Sequence, residues 1–435
     1  MSLRPLVIPG SFVLVFAVVA ARGAEYSLDE AVTQALAHNR ELAATAAGVE
    51  IEAGRALQAG LPPNPAVEIG GRSDLLLKNE GERALTLGVS QALPRKGRLR
   101  LAREAATIGI SEQQALVRDA GRQLIGSVQT LYLQALTFER QRAARQKLIE
   151  SAKALAEVIE RRYAAGEVAQ TDIAPIQIEA AKLEQEQQLL QAERAVVELK
   201  LKQAFGLPAD EPLVLTSTLD ELADRWQPTA TVEAPPEQRP DFDAARIAIA
   251  RAEADVRLAQ AEVYDDVTLG VEYENDRGVF DPPIGVKKDQ FLGVKVSIPL
   301  PVRNKNQGRI LAQQAAKRQA EAGLEAVRLR IGSEIAQARA QVALLEPVLR
   351  RYREELLPLA ERNFAAVQHA YQQGQQGIAP VFQAQQQRFA LELDYVTYVS
   401  RRIEALIAIE TAAGLHPHVR GQAPVAPPPQ PPSQP

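Results

Sequence analysis

Cysteine is missing from the whole 435-residue sequence, so thiol catalysis, disulfides, cysteine-ligated zinc and lipid attachment to cysteine are excluded. Methionine occurs once, at position 1, and histidine four times, which leaves little for a soft-metal centre. The serine-elbow, phosphate-loop and His-Glu-x-x-His patterns of common enzymes are also missing. We therefore predict that the protein is not an enzyme and has no catalytic residues, no metal site and no cofactor.

Aromatic residues are scarce, at 5%, and the charges nearly balance, with 50 basic and 54 acidic side chains. This balance provides no strongly basic face, so we predict no nucleic-acid partner. Alanine, leucine, glutamine, arginine and glutamate dominate instead. That mixture favours long helices over a conventional mixed core.

Long apolar runs are missing except near the N-terminus, where Leu6–Ala21 forms a run of 16 residues after Arg4. The run is shorter than the ~20 residues that a membrane-spanning helix needs, and small residues follow it. This pattern is typical of a cleaved secretory signal peptide, predicted at residues 1–23, with an uncleaved membrane anchor as the alternative. The mature protein is therefore predicted either to stay soluble outside the cytoplasm or to insert as β-strands, without a lipid anchor.

Internal repetition divides the rest of the chain. Four short sequences recur in the same order at an offset of about 205 residues, which indicates an ancient duplication. The four pairs are Tyr163–Gly166 and Tyr371–Gly374, Ile173–Pro175 and Ile378–Pro380, Leu85–Pro94 and Leu292–Pro301, and Ala204–Leu207 and Ala412–Leu415. We predict repeat 1 at residues 24–206, an irregular inter-repeat segment at 207–238, repeat 2 at 239–415, and a disordered proline-rich tail at 416–435.

Each repeat is predicted to contain a helix, two strands, a long helix, a tight turn and a last helix. The helices are predicted at 28–59, 99–163 and 172–205 in repeat 1, and at 241–263, 307–373 and 379–413 in repeat 2. Ser27 and Glu30 form a capping box at the first of them. Apolar residues of the long helices step by three or four, which predicts coiled-coil packing, with a simple antiparallel bundle as the alternative. Each long helix would span about 100 Å, with bends at Pro347 and Pro358 in the second.

Four segments alternate apolar and polar residues, and we predict strands at 66–70, 84–93, 267–273 and 291–300. Such two-faced strands are typical of outer-membrane barrels, and an ordinary amphipathic sheet packed on helices is the alternative. The predicted lipid-facing residues are Leu85, Leu87, Val89, Leu292, Val294 and Val296. The predicted pore-lining residues are Glu68, Glu272 and Lys295, although simple solvation would also explain their charge.

Four strands per chain cannot close a barrel, and an open sheet edge in lipid would leave backbone groups unpaired. Closure therefore requires further protomers, and two, three or four chains would give eight, twelve or sixteen strands. An eight-stranded barrel is filled by its own side chains, which argues against two. The strand number alone does not choose between the remaining assemblies.

The duplicated units, the Tyr-x-x-Gly sequences at helix ends and the Leu-Pro pairs after strands resemble the TolC family of outer-membrane efflux ducts. Arg239–Asp241, Pro299–Gly308 and Leu61–Pro65 look like the cobalt-zinc-cadmium efflux branch of that family. The resemblance spans about Tyr26 to Leu415. It implies a mainly α fold with a small β part, in which duplicated long coiled-coil helices form an α-barrel. Four strands per chain would contribute to the transmembrane β-barrel of a homotrimer, twelve strands in all.

The function implied by the resemblance is a duct in the outer membrane. It would carry substrate, divalent metal cations for this branch, from an inner-membrane RND-type pump and a periplasmic adaptor to the exterior. The alternative is a periplasmic coiled-coil adaptor or scaffold that does not insert in the membrane. An adaptor normally has one helical hairpin and a lipoyl-like β-domain, whereas this sequence has two equivalent helical units.

The two helix-end turns are the other candidate site, because the family carries adaptor contacts and the gate at its periplasmic tips. The residues that the resemblance assigns to these tips are Gly166, Thr171, Asp172, Gly374 and Gly377. Local chemistry is the alternative, since two of the glycines would end helices and residues 172 and 377 would N-cap the next ones. Some relatives carry acidic residues early in the last helix, where this chain has Pro380 and Gln383. We therefore expect no acidic ring at those positions.

Overall fold

Long helices dominate the structure, a computed structural model that describes residues 24–76, 81–166, 174–226, 235–280 and 284–414. The predicted signal peptide at 1–23 and the predicted tail at 416–435 lie outside the described residues. In the first half the elements are β1 (Ala24–Tyr26), α1 (Leu28–His38), α2 (Arg40–Ala59), β2 (Ala66–Ser73), β3 (Arg83–Leu93), α3 (Arg98–Ala164) and α4 (Ala174–Phe205). The connection contains β4 (Leu213–Leu215), α5 (Leu219–Arg225) and a 3-10 turn (Pro236–Gln238). The second half contains α6 (Pro240–Ala261), β5 (Val267–Phe280), β6 (Gly285–Ser297), α7 (Gln307–Arg351), a π-helical turn (Tyr352–Leu356), α8 (Leu357–Gln372) and α9 (Ile378–Ala413).

The first predicted helix, at 28–59, is broken in two at Asn39, so the prediction of one continuous helix was wrong. The capping box of Ser27 and Glu30 starts α1 as predicted. Asn39 has an extended backbone, with φ −63° and ψ 122°, and its Oδ1 accepts a hydrogen bond from Leu42 N–H at 2.8 Å. Its Nδ2 donates to the carbonyl oxygen of Ala204 at 3.0 Å. The break therefore ties the start of α2 to the end of α4, because one amide side chain caps both.

Arg239 plays the corresponding part in the second half. It is the N-cap residue of α6, and its Nη1 donates to the carbonyl oxygen of Ala412 at 3.1 Å, near the end of α9. In both halves a glycine with positive φ lies two residues after the carbonyl that accepts this hydrogen bond. These glycines are Gly206, with φ +69°, after α4 and Gly414, with φ +68°, after α9. Each half thus closes on itself through one buried side chain and one left-handed glycine.

The connection between the halves was predicted to be irregular, and this is wrong for its described part. β4 pairs in parallel with β1, with Glu25 opposite Val214, and Thr218 begins α5 with a second capping box. Tyr132, which is fully buried, donates its hydroxyl to the carbonyl of Tyr26 at 2.8 Å and accepts from Ser217 N–H at 3.1 Å. This region forms the largest apolar core, which joins α1, α3, α4, α5 and α9 around Tyr132 and Phe205.

The long helix of the first half, α3, runs for 67 residues, or about 100 Å at 1.5 Å per residue. The single helix predicted at 307–373 is interrupted, because α7 passes into a π-helical turn before α8 begins. Pro347 and Pro358 flank this turn and lack the N–H groups that an α-helical ladder requires. The N–H of Leu357 instead reaches back five residues to the carbonyl of Tyr352. Among the described helices, none combines the length and apolar character needed to cross a membrane.

The helices lie side by side in a layer with α3 at its centre. α3 packs against α2, α4, α6 and α9, and α7 packs against α6 and α9. Consequently α2 and α4 border one edge of the layer, and α7 and α8 border the other. Large apolar side chains stay exposed at both edges, including Ile178 and Leu189 on α4 and Leu329 and Leu344 on α7. The layer therefore has apolar contact surface left on two opposite sides.

The remaining strands form one antiparallel sheet in the order β2-β3-β5-β6. The four predicted strands are present, but β5 extends to Phe280 and β6 begins at Gly285, so both are longer toward the hairpin than predicted. β6 ends at Ser297 rather than at the predicted residue 300, because Pro299 has no N–H to donate to a ladder. β2 and β6 each have one side without a neighbouring strand within the described ranges.

Candidate functional site

The apolar face of the sheet is built from rows of residues that stand opposite one another on neighbouring strands. The central row contains Val67, Val89, Val271 and Val294. The next row contains Ile69, Leu87, Tyr273 and Leu292, and the row beyond it contains Gly71, Leu85, Asn275 and Gln290. The face is therefore apolar at its centre and turns polar toward the hairpins.

The six residues predicted to face lipid all lie on this one face, because side chains alternate strictly along a strand. All of them are exposed, from 44% for Leu87 to 78% for Leu292. The alternative of a sheet packed on helices does not describe this surface, since these side chains are left uncovered in the described structure. An exposed apolar patch of this kind marks a surface that meets lipid or another protein.

The opposite face carries the three predicted pore-lining residues. Glu68, Gly88, Glu272 and Gly293 form one row, and Ser90, Gly270 and Lys295 belong to the next. Ser90 Oγ donates to Glu68 Oε1 at 2.9 Å. Within the described ranges no ion pair engages Glu68, Glu272 or Lys295, so their charges stay available on this face.

Glycines alternate with the carboxylates along that row and leave room for them. A Cβ atom at Gly293 would lie 3.2 Å from Cγ of Glu272, and one at Gly88 would lie 3.6 Å from Cβ of Glu272 and 3.8 Å from Cβ of Glu68. The charged side chains therefore border a shallow depression of about 200 Å³. This surface is polar, open and unobstructed, which suits contact with water.

The two predicted helix-end turns lie at the other end of the long helices. Gly166 and Gly374 have φ +75° and +73°. Each adopts the left-handed conformation that ends a helix, as the alternative based on local chemistry predicted. Gly377 is the N-cap of α9, with Pro380 as the third helical residue. A Cβ atom at Gly166, Gly374 or Gly377 would meet nothing within 4 Å. The other predicted tip residues, Thr171 and Asp172, lie outside the described residues.

A contact between the two long helices near their ends was missed by the sequence interpretation. Arg162 Nη1 donates to the hydroxyl of Tyr371 at 3.3 Å, and its guanidinium lies 6.0 Å from the centre of that ring. Tyr371 precedes Gly374 by three residues, as Tyr163 precedes Gly166. The Tyr-x-x-Gly repetition could have pointed to this tyrosine, but its partner comes from a helix 209 positions away.

A buried ion cluster around Arg239 was also missed, although Arg239–Asp241 contributed to the family resemblance. Arg239 is only 2% exposed and forms a two-bond fork with Asp241, at 2.9 and 2.7 Å. Its Nη1 also contacts Glu334 at 2.6 Å, and Arg330 donates to Asp241 at 2.9 Å. Burial alone would raise the pKa of Asp241, but the hydrogen bonds and charge of Arg239 hold it below its usual value. The cluster joins α6 and α7 to the end of α9.

No group of three or more potential metal-ligating side chains occurs in the part of the chain that the structure describes. The candidate surfaces are therefore a two-faced sheet with unpaired outer strands and, about 100 Å away, exposed helix-end turns. This combination is typical of outer-membrane efflux proteins. The chain belongs to the outer membrane efflux protein family, whose sequence profile matches residues 31–207 and again residues 236–415.

Curated relatives share the family but differ in cargo. The chain is 26% identical over 412 residues to the pyoverdine export outer membrane protein OpmQ of Pseudomonas putida, covering 89% of this chain and 85% of the relative. It is 23% identical over 395 residues to the cobalt-zinc-cadmium resistance protein CzcC of Cupriavidus metallidurans, covering 89% and 90%. The resemblance to the TolC family is thus confirmed, whereas the cation branch has only the weak support of CzcC at 23% identity.

The fold itself matches that of the solved channel CusC. The superposition has a TM-score of 0.73 at 17% identity and covers 90% of this chain and 92% of CusC. The predicted fold class, mainly α with duplicated long helices and a small β part, is confirmed by this likeness. An identity this low speaks for the fold alone.

Proposed function

We propose that three copies of the chain form a duct through the outer membrane. The observation that carries this proposal is the exposed apolar face of a sheet whose outer strands, β2 and β6, have no neighbour in the described chain. Pairing β6 of one copy with β2 of the next would supply hydrogen-bond partners for the backbone groups of both outer strands through one repeated contact. Repeated head-to-tail contacts of this kind close into a ring.

The helical layer supports the same closure. Its edge formed by α2 and α4 would meet the edge formed by α7 and α8 of the next copy, which would bury exposed residues such as Leu189 and Leu344. Three copies would supply twelve strands, enough for an open interior, whereas eight strands would be filled by side chains. The homotrimer is thus the smallest assembly that leaves a passage.

In this assembly the face with Val89 and Val294 contacts lipid, and the face with Glu68, Glu272 and Lys295 lines water. Strands of 11 to 14 residues in β3, β5 and β6 are long enough to cross the membrane when tilted. The helix-end turns at Gly166 and Gly374 would then lie deep in the periplasm. There they would meet a periplasmic adaptor and, through it, an inner-membrane RND-type pump.

For the cargo, we propose divalent metal cations first. Glu68 and Glu272, against the one cation of Lys295, give the lining of the shallow depression a net negative charge in each chain, which would draw cations toward the passage. An organic chelator of the pyoverdine type is the second candidate, because OpmQ, named for pyoverdine export, is a 26% identical relative. The helical duct needs no cargo-specific ligands, so selection belongs to the pump.

The experiment is deletion of the gene, followed by complementation with wild type. Membrane fractionation with and without detergent comes first, since a protein recovered without detergent is the periplasmic scaffold of the alternative prediction. Growth in cobalt, zinc and cadmium is then compared with export of a fluorescent siderophore. Loss of metal resistance alone supports cations, loss of siderophore export alone supports the second candidate, and an unchanged phenotype with a membrane-bound trimer rules out both cargoes.

A further inference from the structure

The junctions between strands and helices are tied together at one level of the molecule. Arg98 Nη2 contacts Asp266 Oδ2 at 2.7 Å, which joins the β3–α3 junction to the α6–β5 junction. Asn306 Nδ2 donates to the carbonyl of Ala259 at 2.8 Å, which joins the β6–α7 junction to the end of α6. We call residues 93–100, 262–266 and 298–309 the junction collar. It surrounds the end of the sheet from which the helices depart.

The junction collar is basic, although the whole chain has a formal charge of −4. It contains seven basic and three acidic side chains. The basic residues are Arg95, Lys96, Arg98, Arg100, Arg303, Lys305 and Arg309, and the acidic residues are Glu262, Asp265 and Asp266. A ring of three chains would repeat this excess three times around the sheet.

Part of this positive charge has no acidic partner. Asp266 is paired with Arg98, and Glu262 is paired with Arg309 at 2.8 Å. No ion pair engages Arg95, Lys96, Arg303 or Lys305 within the ranges that the structure describes. Asp265 has no ion pair within those ranges either, so four basic side chains stand against one carboxylate, and this excess of positive charge can attract anions.

The backbone that carries these side chains is held in special conformations. Lys96 and Asn306 are the non-glycine residues with positive φ in the described chain, at +57° and +56°. Both occupy the turn that leads from a strand into a long helix. The side chains of Arg95 and Lys96 lie over the ring of Tyr264, at 5.4 and 5.1 Å from its centre. The basic groups of the first turn are therefore packed on an aromatic ring just after the end of α6.

Apolar side chains precede the charges in the second strand-to-helix turn. Leu300 and Val302 are 76% and 75% exposed, directly before Arg303. They border a recess of about 590 Å³ whose charged lining is Arg98, Arg303 and Arg309 on the basic side and Glu262 and Asp265 on the acidic side. They follow β6, whose last residue on the apolar face is Val296, by only a few positions. A soluble anion would use the charges of this recess but not its exposed leucine and valine.

We propose that the junction collar binds anionic phospholipid headgroups of the periplasmic leaflet, with the phosphate at the basic side chains and the acyl chains along the apolar face. The inference rests on the proposed insertion of the sheet in the outer membrane. Basic side chains beside an apolar surface are the arrangement that recognises such lipids. The bound lipids would fix the depth at which the sheet sits in the membrane.

The test uses the purified detergent-solubilised protein, native mass spectrometry, and added phosphatidylglycerol, phosphatidylcholine or lipid A. The collar variant is Arg303→Gln with Lys305→Gln. The charge-matched control is Arg318→Gln with Arg350→Gln, two exposed arginines of α7 that lie roughly 14 and 60 Å along the helix from the last collar residue. A second collar variant, Arg95→Gln with Lys96→Gln, covers the possibility that the first fails to fold.

We expect wild type and control to retain phosphatidylglycerol about tenfold more strongly than phosphatidylcholine, and the collar variants to lose most of that preference. Raising the salt from about 50 to 500 mM should reduce the preference in wild type, because the contact is electrostatic. A membrane-bound trimer that shows no such preference, or prefers lipid A, overturns the collar proposal and leaves the proposed duct intact. Protein that forms no trimer in membranes refutes both.

Discussion

Replacing Val89 with arginine places a charge in the central row of the apolar face. Val89 is 54% exposed and stands opposite Val67 and Val271, between the row of Leu87 and a row in which Leu269 and Val296 accompany Gln91. At the midplane of a bilayer an arginine on a lipid-facing strand costs about 2–4 kcal/mol. Three copies in a trimer would lose roughly 6–12 kcal/mol, which is comparable to the whole stability of a typical domain.

Two variants of the same strand serve as matched controls. Ser90→Arg puts the same side chain one position along, on the water-facing side next to Glu68, which can accept it. Leu85→Arg stays on the apolar face but lies in the row with Asn275 and Gln290, where the surface turns polar. An arginine near the interface costs only about 0–1 kcal/mol, so both controls should be mild.

The assay is the amount of heat-resistant trimer in outer membranes, followed by urea titration of protein refolded into vesicles. Val89→Arg should shift the folding midpoint strongly, Leu85→Arg slightly and Ser90→Arg least. Equal losses for Val89→Arg and Ser90→Arg would show that the two faces do not differ in environment. If Leu85→Arg lowers the folding midpoint as much as Val89→Arg does, the cost does not depend on depth in the membrane. That result would refute the assignment of the central row to the midplane.

Three further predictions concern the helices. Gly166→Val and Gly374→Val force a β-branched residue to positive φ, which costs roughly 1–3 kcal/mol of strain each. Efflux-dependent resistance should therefore fall while the amount of trimer in the membrane stays normal. If the amount of trimer falls in parallel, these glycines have a purely structural role. Arg239→Met removes the guanidinium that Asp241 and the carbonyl of Ala412 contact, and should lower the free energy of unfolding by about 3–5 kcal/mol in thermal melts. The control Arg330→Met changes an exposed side chain and should cost less than about 1 kcal/mol. Similar losses for both variants would argue against a buried cluster. Because the pKa of Asp241 is lowered in the folded protein, its carboxylate contributes stability above pH ~4, and this stability is lost as the pH falls through the folded pKa. In a plot of the urea midpoint against pH, Asp241→Asn should therefore flatten the decline on the acid side. An unchanged decline would contradict this prediction.

The features that the sequence predicted well are those with a local cause. Side chains alternate along a strand, so Leu87 and Val89 could be assigned to one face without any knowledge of their neighbours. A glycine that follows a long helical pattern, such as Gly166, predicts a left-handed helix end for the same reason. The predicted roles of these residues toward lipid, adaptor and gate stay predictions.

Features with a distant cause were missed. The break at Asn39 depends on a carbonyl 165 positions away, and the cluster at Arg239 depends on Glu334 and Ala412. The outer part of β5 contains Asn275, Asp276 and Arg277, which interrupt the alternation although its backbone remains paired with β6. A strand segment that is stabilised by backbone pairing without alternating side chains cannot be recognised from hydrophobic periodicity.

The π-helical turn at Tyr352–Leu356 has a geometric consequence for the far end of the molecule. Such a turn adds one residue to the helical winding, which rotates everything beyond it by about 100° around the helix axis. α3 is assigned as uninterrupted α-helix from Arg98 to Ala164, so the two long helices of one chain reach their glycine turns with different phases. A ring of three such chains would have six helix-end turns of two alternating kinds. Any ring-shaped partner that docks on all six must therefore make two distinct sets of contacts, and its symmetry there is threefold rather than sixfold.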